Sequence, residues 1–339
     1  MPREIIVTGV HLHANAAPCF HHCRYCQLKS YRLRPAPIER FVALVERFIE
    51  WRNAGHQDFE IAPWYGNSHD YSLATTKALR ELEKKLGWTS HVVLLGGVAH
   101  RSRQEMKQWL LERRDLGIDT VVATFSGHGA RHDHWNNMAG NYQFQLDALH
   151  LAAEIGMKLQ QRILLIRDSV PSLDELLDDL DRGPATSRER WAVPLFYSGV
   201  ARGLEEQRLT EVEIDSLPAR VKDCLRDDRP NWRSEKNWIE HVRQSPDDEA
   251  EAMAISLPLD EQSLDWADAR SCDQIITELI ARWRAAHLAA PSRKELCEGY
   301  GDVANDRLYF NVQQMEKAWF DRYKKDNICR FDISATKFS

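Results

Sequence analysis

Through residue 199 the chain alternates short apolar runs with amphipathic stretches of helical period, and this alternation restricts the fold more than any other feature. The apolar runs are "EIIVTGV" (4–10), "DFEIAPW" (58–64), "HVVLLGG" (91–97), "DTVVATFSG" (119–127), "KLQQRILLIRD" (158–168) and "RWAVPLFYSG" (190–199). Between the first two, "IERFVALVERFIEW" (38–51) lines up Ile38, Phe41, Val42, Val45, Phe48 and Ile49 on one stripe at helical spacing. Further helices are predicted at 72–87, 103–117, 142–156 and 172–181, and the first three of these end on glycine. Strands alternating with helices require a parallel sheet with helices covering it. The expected class is therefore α/β. The architecture expected is a partial (β/α)6 TIM-like barrel, with a doubly wound open sheet as the alternative. In both, the loops that follow the strands carry the chemistry.

Beyond about residue 205 the alternation weakens. "SPDDEAEA" (245–252) reads as a solvated acidic loop, 272–290 as an amphipathic helix, and 307–325 as a strand-like start leading into a helix. The expected division is a core over 1–205 and a mainly helical extension over 206–339 that packs on or covers the barrel mouth. Residues 301–319 are its candidate lid, or else a helix that stabilises the barrel end.

The net charge of -6 gives no electrostatic reason to expect a nucleic-acid partner. No stretch approaches the roughly 18 apolar residues of a membrane span, and the N-terminus lacks the layout of a signal peptide. A cytoplasmic protein is expected, with its seven cysteines reduced. Four of them (Cys224, Cys272, Cys297 and Cys329) are scattered, which favours plain core packing over an auxiliary cluster.

The other three form "CFHHCRYC" (19–26), directly after the first predicted strand. Thiolates suit iron–sulfur clusters, zinc or copper(I). A structural zinc site needs four ligands, commonly as two short pairs. Here a second pair is absent, although His21 or His22 would complete a Cys3His set. Three thiolates in one loop also suit a four-iron cubane with one iron left open.

The spacing C-x3-C-x-aromatic-C resembles the signature of radical S-adenosylmethionine enzymes, and it stands where that family carries it, after the first strand of a (β/α)6 barrel. The resemblance implies that Cys19, Cys23 and Cys26 hold a [4Fe-4S] cluster, that S-adenosyl-L-methionine chelates the open iron, and that Tyr25 lies near the adenine. It implies reductive cleavage to a 5′-deoxyadenosyl radical, hydrogen-atom abstraction from a substrate, and a reducing partner such as a flavodoxin or ferredoxin.

Three further stretches extend the resemblance. "PWYGNSHDY" (63–71) stands where the family has a glycine-glycine-acid turn; Gly66 matches, and Asn67 and Ser68 offer acceptors in place of the acid. Residues 124–159 resemble the fourth unit of the peptide-modifying and molybdopterin-precursor-cyclase branches, with Ser126, Gly127, His132, Asp133, Gly140, Phe144 and Gly156 in register and the usual arginine missing. Ser126 is then expected to face the methionine part or the ribose, and His132 and Asp133 to stabilise the loop. "FYSGVARG" (196–203) is similar to the family's late glycine turn. Arg162, inside the fifth predicted strand, needs an anion: the ligand's carboxylate or an internal ion pair.

The cysteine-rich C-terminal extension of the peptide-modifying branch is absent, and no leader-binding domain is expected ahead of a motif that begins at residue 19. The substrate expected is a peptide or small natural-product precursor. A nucleoside, sugar or cofactor precursor is the alternative, and a non-enzymatic zinc or iron–sulfur module is a third reading.

Overall fold

A computed structural model describes residues 5–14, 19–28, 36–183, 188–245 and 251–327. Its first part runs β1 (Ile5–Ala14), α1 (Ile38–Asn53), β2 (Glu60–Tyr65), α2 (Leu73–Leu86), β3 (Val92–Leu94), α3 (Arg103–Arg114), β4 (Thr120–Phe125), α4 (Ala130–Asn136), α5 (Asn141–Glu154), β5 (Lys158–Leu165), α6 (Leu173–Arg182) and β6 (Arg188–Pro194). Then come α7 (Glu211–Asp215), α8 (Ala219–Lys222), β7 (Arg233–Ser234), α9 (Glu235–Gln244), β8 (Glu251–Leu259), α10 (Glu261–Asp268), α11 (Cys272–Ala289), α12 (Arg293–Tyr300), β9 (Leu308–Tyr309) and α13 (Val312–Asp326).

Local chemistry explains the boundaries. Ser72 caps α2 by accepting from Thr75 N, and Gly87 ends that helix in the left-handed conformation, φ 82°. Ser102 and Glu105 form a reciprocal capping box at the start of α3.

The architecture is mixed α/β with two parallel sheets, ordered β3-β4-β5-β6 and β2-β1-β8, plus a small antiparallel pair β7-β9. Among the described residues no strand ladder joins β2 to β3. In the first sheet Val121, Ala123 and Phe125 of β4 and Leu159, Ile163 and Leu165 of β5 pack into a core with residues of α3, α5 and α6. In the second, Val10, Leu12 and Ala14 of β1 pack with α1, α10 and α11. Because side chains alternate along a strand, His11, His13 and Arg162 lie on the faces opposite these two cores.

One strand departs from the sequence reading. β8 begins at Glu251, inside the stretch read as an acidic loop, and runs parallel to β1 from Ile5 opposite Glu251 to Ala14 opposite Leu259. Residues 246–250 of that stretch lie outside the described residues. Pro258 disguises the strand, yet β8 is an edge strand, where a missing N–H is tolerated. The segment 206–339 therefore supplies a strand to the second parallel sheet as well as helices.

Helices α9, α12 and α13 build a core of their own. Trp238 and Ile239 of α9, Leu296 and Cys297 of α12, and Met315 and Trp319 of α13 pack around Tyr309. Helix α13, which begins in the candidate lid stretch and runs beyond it, reaches the turn after β6: Tyr197 N donates to Gln314 Oε1 (3.0 Å) and Tyr197 OH to Asp321 Oδ2 (3.1 Å). No helix among the described residues is long and apolar enough to cross a membrane.

Candidate functional site

Residues 19–28, after β1, are tied to the turns that follow three other parallel strands. Phe20 N donates to Gly97 O (3.1 Å) and His21 Nε2 to Val98 O (3.2 Å), beyond β3. Arg24 N donates to Trp135 O (2.8 Å) and Arg24 Nε to His134 O (3.0 Å), in α4 beyond β4. Val200 N donates to Cys26 O (2.8 Å) and Ser198 Oγ to Gln27 O (3.2 Å), beyond β6. Parallel strands end on one side, so the loop lies across the C-terminal edges of both sheets, where α/β proteins place their ligands.

All three thiols of the loop are reduced and half-buried. Burial pushes the Cys23 thiol up to about 12, and Cys19 and Cys26 raise it further, which puts the three sulfurs within electrostatic range of one another. Cys23 Sγ donates to Asn136 Oδ1 (3.4 Å), and Tyr25 OH donates to the same oxygen (3.0 Å).

Gly97 makes room for this arrangement. At φ +84° it occupies a conformation that other residues rarely adopt, and a Cβ there would stand 2.8 Å from Cys19 Sγ and 2.7 Å from Ser68 Cβ. Gly97→Ala should therefore displace Cys19 and lower iron uptake on anaerobic reconstitution several-fold, read as iron per chain. Uptake equal to wild type would show that the contact is slack.

Three thiols from one loop are a donor set that suits an iron–sulfur cluster. His21 Nε2 is committed to the Val98 carbonyl, and burial lowers the ring to about 4. Among the described residues no three His, Cys, Asp or Glu side chains are arranged to hold one metal ion. A cubane asks for something different, since each thiolate meets its own iron corner.

The other residues singled out in the sequence fall into two groups. Gly66 (φ +92°), Asn67 and Ser68 form the turn after β2. Ser68 abuts Gly97 beside Cys19, and Asn67 Oδ1 is buried without a partner. Ser126 is fully buried beyond β4 and its Oγ accepts from Asn136 Nδ2 (3.1 Å). Cys23, Tyr25, Ser126 and Asn136 thus form one connected set. Arg162 stands apart: its guanidinium lies 5.3 Å from the centre of the Trp191 ring, and its Nε is buried with no partner.

Asn136 is the residue that the sequence reading misses. Its signal was helical spacing: His132 and Asn136 are four apart on α4, which ends at Asn137 in the left-handed conformation, φ 50°. Asp133 ties α4 to the start of α5, accepting from Gly140 N (2.6 Å) and Tyr142 N (2.8 Å). The expectation that His132 and Asp133 hold the loop together agrees with these bonds.

His132 is fully buried, and burial lowers it to about 3, so the ring is neutral. Its Nδ1 accepts from Ser126 N (3.2 Å), so Nε2 carries the hydrogen. The Asn141 amide lies 2.9 Å from Nε2, and its oxygen, otherwise unpartnered, is the acceptor this tautomer needs. The buried ring makes stability depend on pH. Between 6.5 and about 3 the unfolded chain binds a proton here that the folded chain does not, so stability falls as pH falls. One such proton corresponds to roughly 1.4 kcal/mol per pH unit. Urea unfolding at pH 7 and pH 5 should show a smaller loss for His132→Gln than for wild type; equal losses would refute the assignment.

No family model matches the chain, and no curated protein matches it in sequence. Solved structures do resemble it in shape. Coproporphyrinogen III oxidase (HemN) from Escherichia coli, described as a radical SAM enzyme, is 13% identical over 64% of this chain and 49% of its own, with a TM-score of 0.38. Streptococcus suis SuiB bound to precursor peptide SuiA is 10% identical over 74% of this chain and 49% of its own, with a TM-score of 0.42. HydG, a maturase of the [FeFe]-hydrogenase, is 12% identical over 97% of this chain and 80% of its own, with a TM-score of 0.40. The chain spans about half the length of HemN and of SuiB.

Proposed function

We propose that this chain is a radical S-adenosylmethionine enzyme built on a partial (β/α)6 barrel, acting on a peptide or small natural-product precursor. One observation carries the reading: three thiols from a single loop lie together across the C-terminal strand edges, on a backbone held by the turns after β3, β4 and β6. Cys19, Cys23 and Cys26 are the residues that would hold a [4Fe-4S] cluster. Such a cluster, when bound, supplies the electron for reductive cleavage of S-adenosylmethionine and so for hydrogen-atom abstraction from a substrate.

The chain's own part is to bind, orient and exclude water. Asn67 Oδ1, buried and unpartnered, is an acceptor for the ammonium group of the methionine moiety, in the turn where Gly66 bends the chain and Ser68 packs beside Cys19. Tyr25 borders the adenine side. Its hydroxyl, with Ser126 and Asn136, keeps the environment of Cys23 polar and fixed. Phe20 and Val200, each more than two-fifths exposed beside the loop, offer apolar surface to a reducing partner such as a flavodoxin or ferredoxin.

Anaerobic reconstitution tests the proposal. About four irons and four sulfides per chain are expected, with 5′-deoxyadenosine released from S-adenosylmethionine under reducing conditions. A colourless, zinc-loaded protein after the same treatment would overturn it.

A further inference from the structure

Among the described residues a gap separates β2 from β3. A cavity of about 380 Å3 fills it, within the range of small-molecule sites. Its walls are mostly apolar and aromatic: Trp64 of β2, Tyr71 in the turn beyond, Leu79 of α2, Trp88, and Val93 of β3. Arg162 and His69 close it on the side of β5.

The charges in this cavity do not balance. Arg80 is matched by Glu83, whose carboxylate takes Arg80 Nη1 (2.6 Å) and Ser90 N (3.2 Å). Arg113 is used by the fold: it stacks 3.8 Å from the Trp109 ring centre and donates to Tyr71 O (2.7 Å) and Trp109 O (3.1 Å). Arg162 has no such outlet. Among the described residues it meets the face of Trp191, its Nε is buried and unpartnered, and the charge that acts on it is another cation, Arg226. His69, held neutral by burial and by Arg113 and Arg162, adds no negative charge. A guanidinium so placed calls for an anion, and the cavity is where one can reach it.

The register separates this group from the cysteine loop. Arg162 lies opposite Thr124 of β4, two residues before Ser126, so it sits on the order of 7 Å along the strands from the loop's level. We infer that the β2–β3 cavity is a second ligand site, which takes an aromatic or bulky apolar molecule or side chain bearing one carboxylate, with Arg162 as the carboxylate's partner. This assigns Arg162 to the second ligand and leaves the carboxylate of S-adenosylmethionine to other groups. Under the proposed function that ligand is the substrate, and only this naming rests on that function; the binding stands without it.

Calorimetric titration of the full-length protein, as purified and after reconstitution, tests the site with 4-phenylbutyrate as the probe. Saturable binding is expected, roughly tenfold weaker for the uncharged 4-phenylbutyramide and for Arg162→Gln, with much of the loss restored by Arg162→Lys. Leu79→Trp, which fills the cavity and keeps the charge, should weaken the probe to a similar extent. S-Adenosylmethionine affinity should be unchanged in Arg162→Gln. Absent saturable binding, or acid and amide binding alike, would overturn the inference on the wild-type protein alone. An Arg162→Gln variant that loses S-adenosylmethionine and keeps the probe would return the residue to the methionine carboxylate. A protein that binds the probe but takes up no iron would refute the proposed function and leave this site standing.

Discussion

Cys23→Ala is expected to abolish 5′-deoxyadenosine release and to take stable iron with it, and Cys19→Ala and Cys26→Ala to do the same. Each thiol is one of three from one loop, and the backbone of that loop is already committed to Gly97, Trp135 and Val200. The loop therefore has no slack with which to replace a missing ligand. Asn136 Oδ1, next to Cys23 Sγ, is a weak donor to iron compared with a thiolate. Release of 5′-deoxyadenosine by the triple variant, measured by chromatography under reducing conditions, would show that the motif is not the reactive centre. The comparison set is Cys224, Cys272 and Cys297, which belong to three different cores. Replacing these, together with Cys329, which lies outside the described residues, should leave about four irons per chain; a fall of about four from a starting value near eight would reveal a second cluster.

Glu235→Ala is expected to cost the most stability of any single change in the last third of the chain. Glu235 is fully buried at the start of α9. Its carboxylate accepts from Asp302 N (2.9 Å), Asn305 Nδ2 (2.7 Å), Trp319 Nε1 (2.7 Å) and Arg322 Nη2 (2.8 Å). Removing it strands three neutral donors and a cation, and breaking one side of a buried pair typically costs about 3–5 kcal/mol. Glu235→Gln keeps the shape and some of the bonds, so it should lose less. Urea unfolding checks both variants, and a loss below about 1 kcal/mol for alanine would mean that water replaces the carboxylate without penalty. The effect should reach the cysteine loop, because α13 grips Tyr197 and Arg202, and the same turn holds Cys26 O through Val200.

Apart from α4, the strands and helices up to residue 194 are legible because each carries its own period. The apolar run at 119–127 contains β4, and that at 158–168 contains β5. The place of the cysteine loop is legible for the same reason, since it needs only the first strand to be recognised. Two features are not. Helix α4 is short and polar, "ARHDHWN", with no apolar stripe to mark it, so Asn136 is hidden although it bonds to Ser126 and accepts from Tyr25. β8 has a strand's alternation, with Ile255, Leu257 and Leu259 buried, but its partner is β1, far away in the sequence. No local pattern states which strands will pair. The cavity is hidden on the same ground, because it exists only where β2 and β3 fail to join.

The pairing of β8 with β1 also sets an order of events during synthesis. The strand that launches the cysteine loop leaves the ribosome well before its outer neighbour, which is made only when residues 251–259 emerge. Until then one edge of β1 is open, and an open edge is a template for pairing with other chains. The contact is also among the most distant in sequence, which slows its formation. The turns that cradle the loop, at 97–98, 134–136 and 198–200, are all translated before β8. The cradle is thus made before the strand beneath it is locked, and under the proposed function a cofactor that awaits a fixed loop binds only once residues 251–259 have emerged.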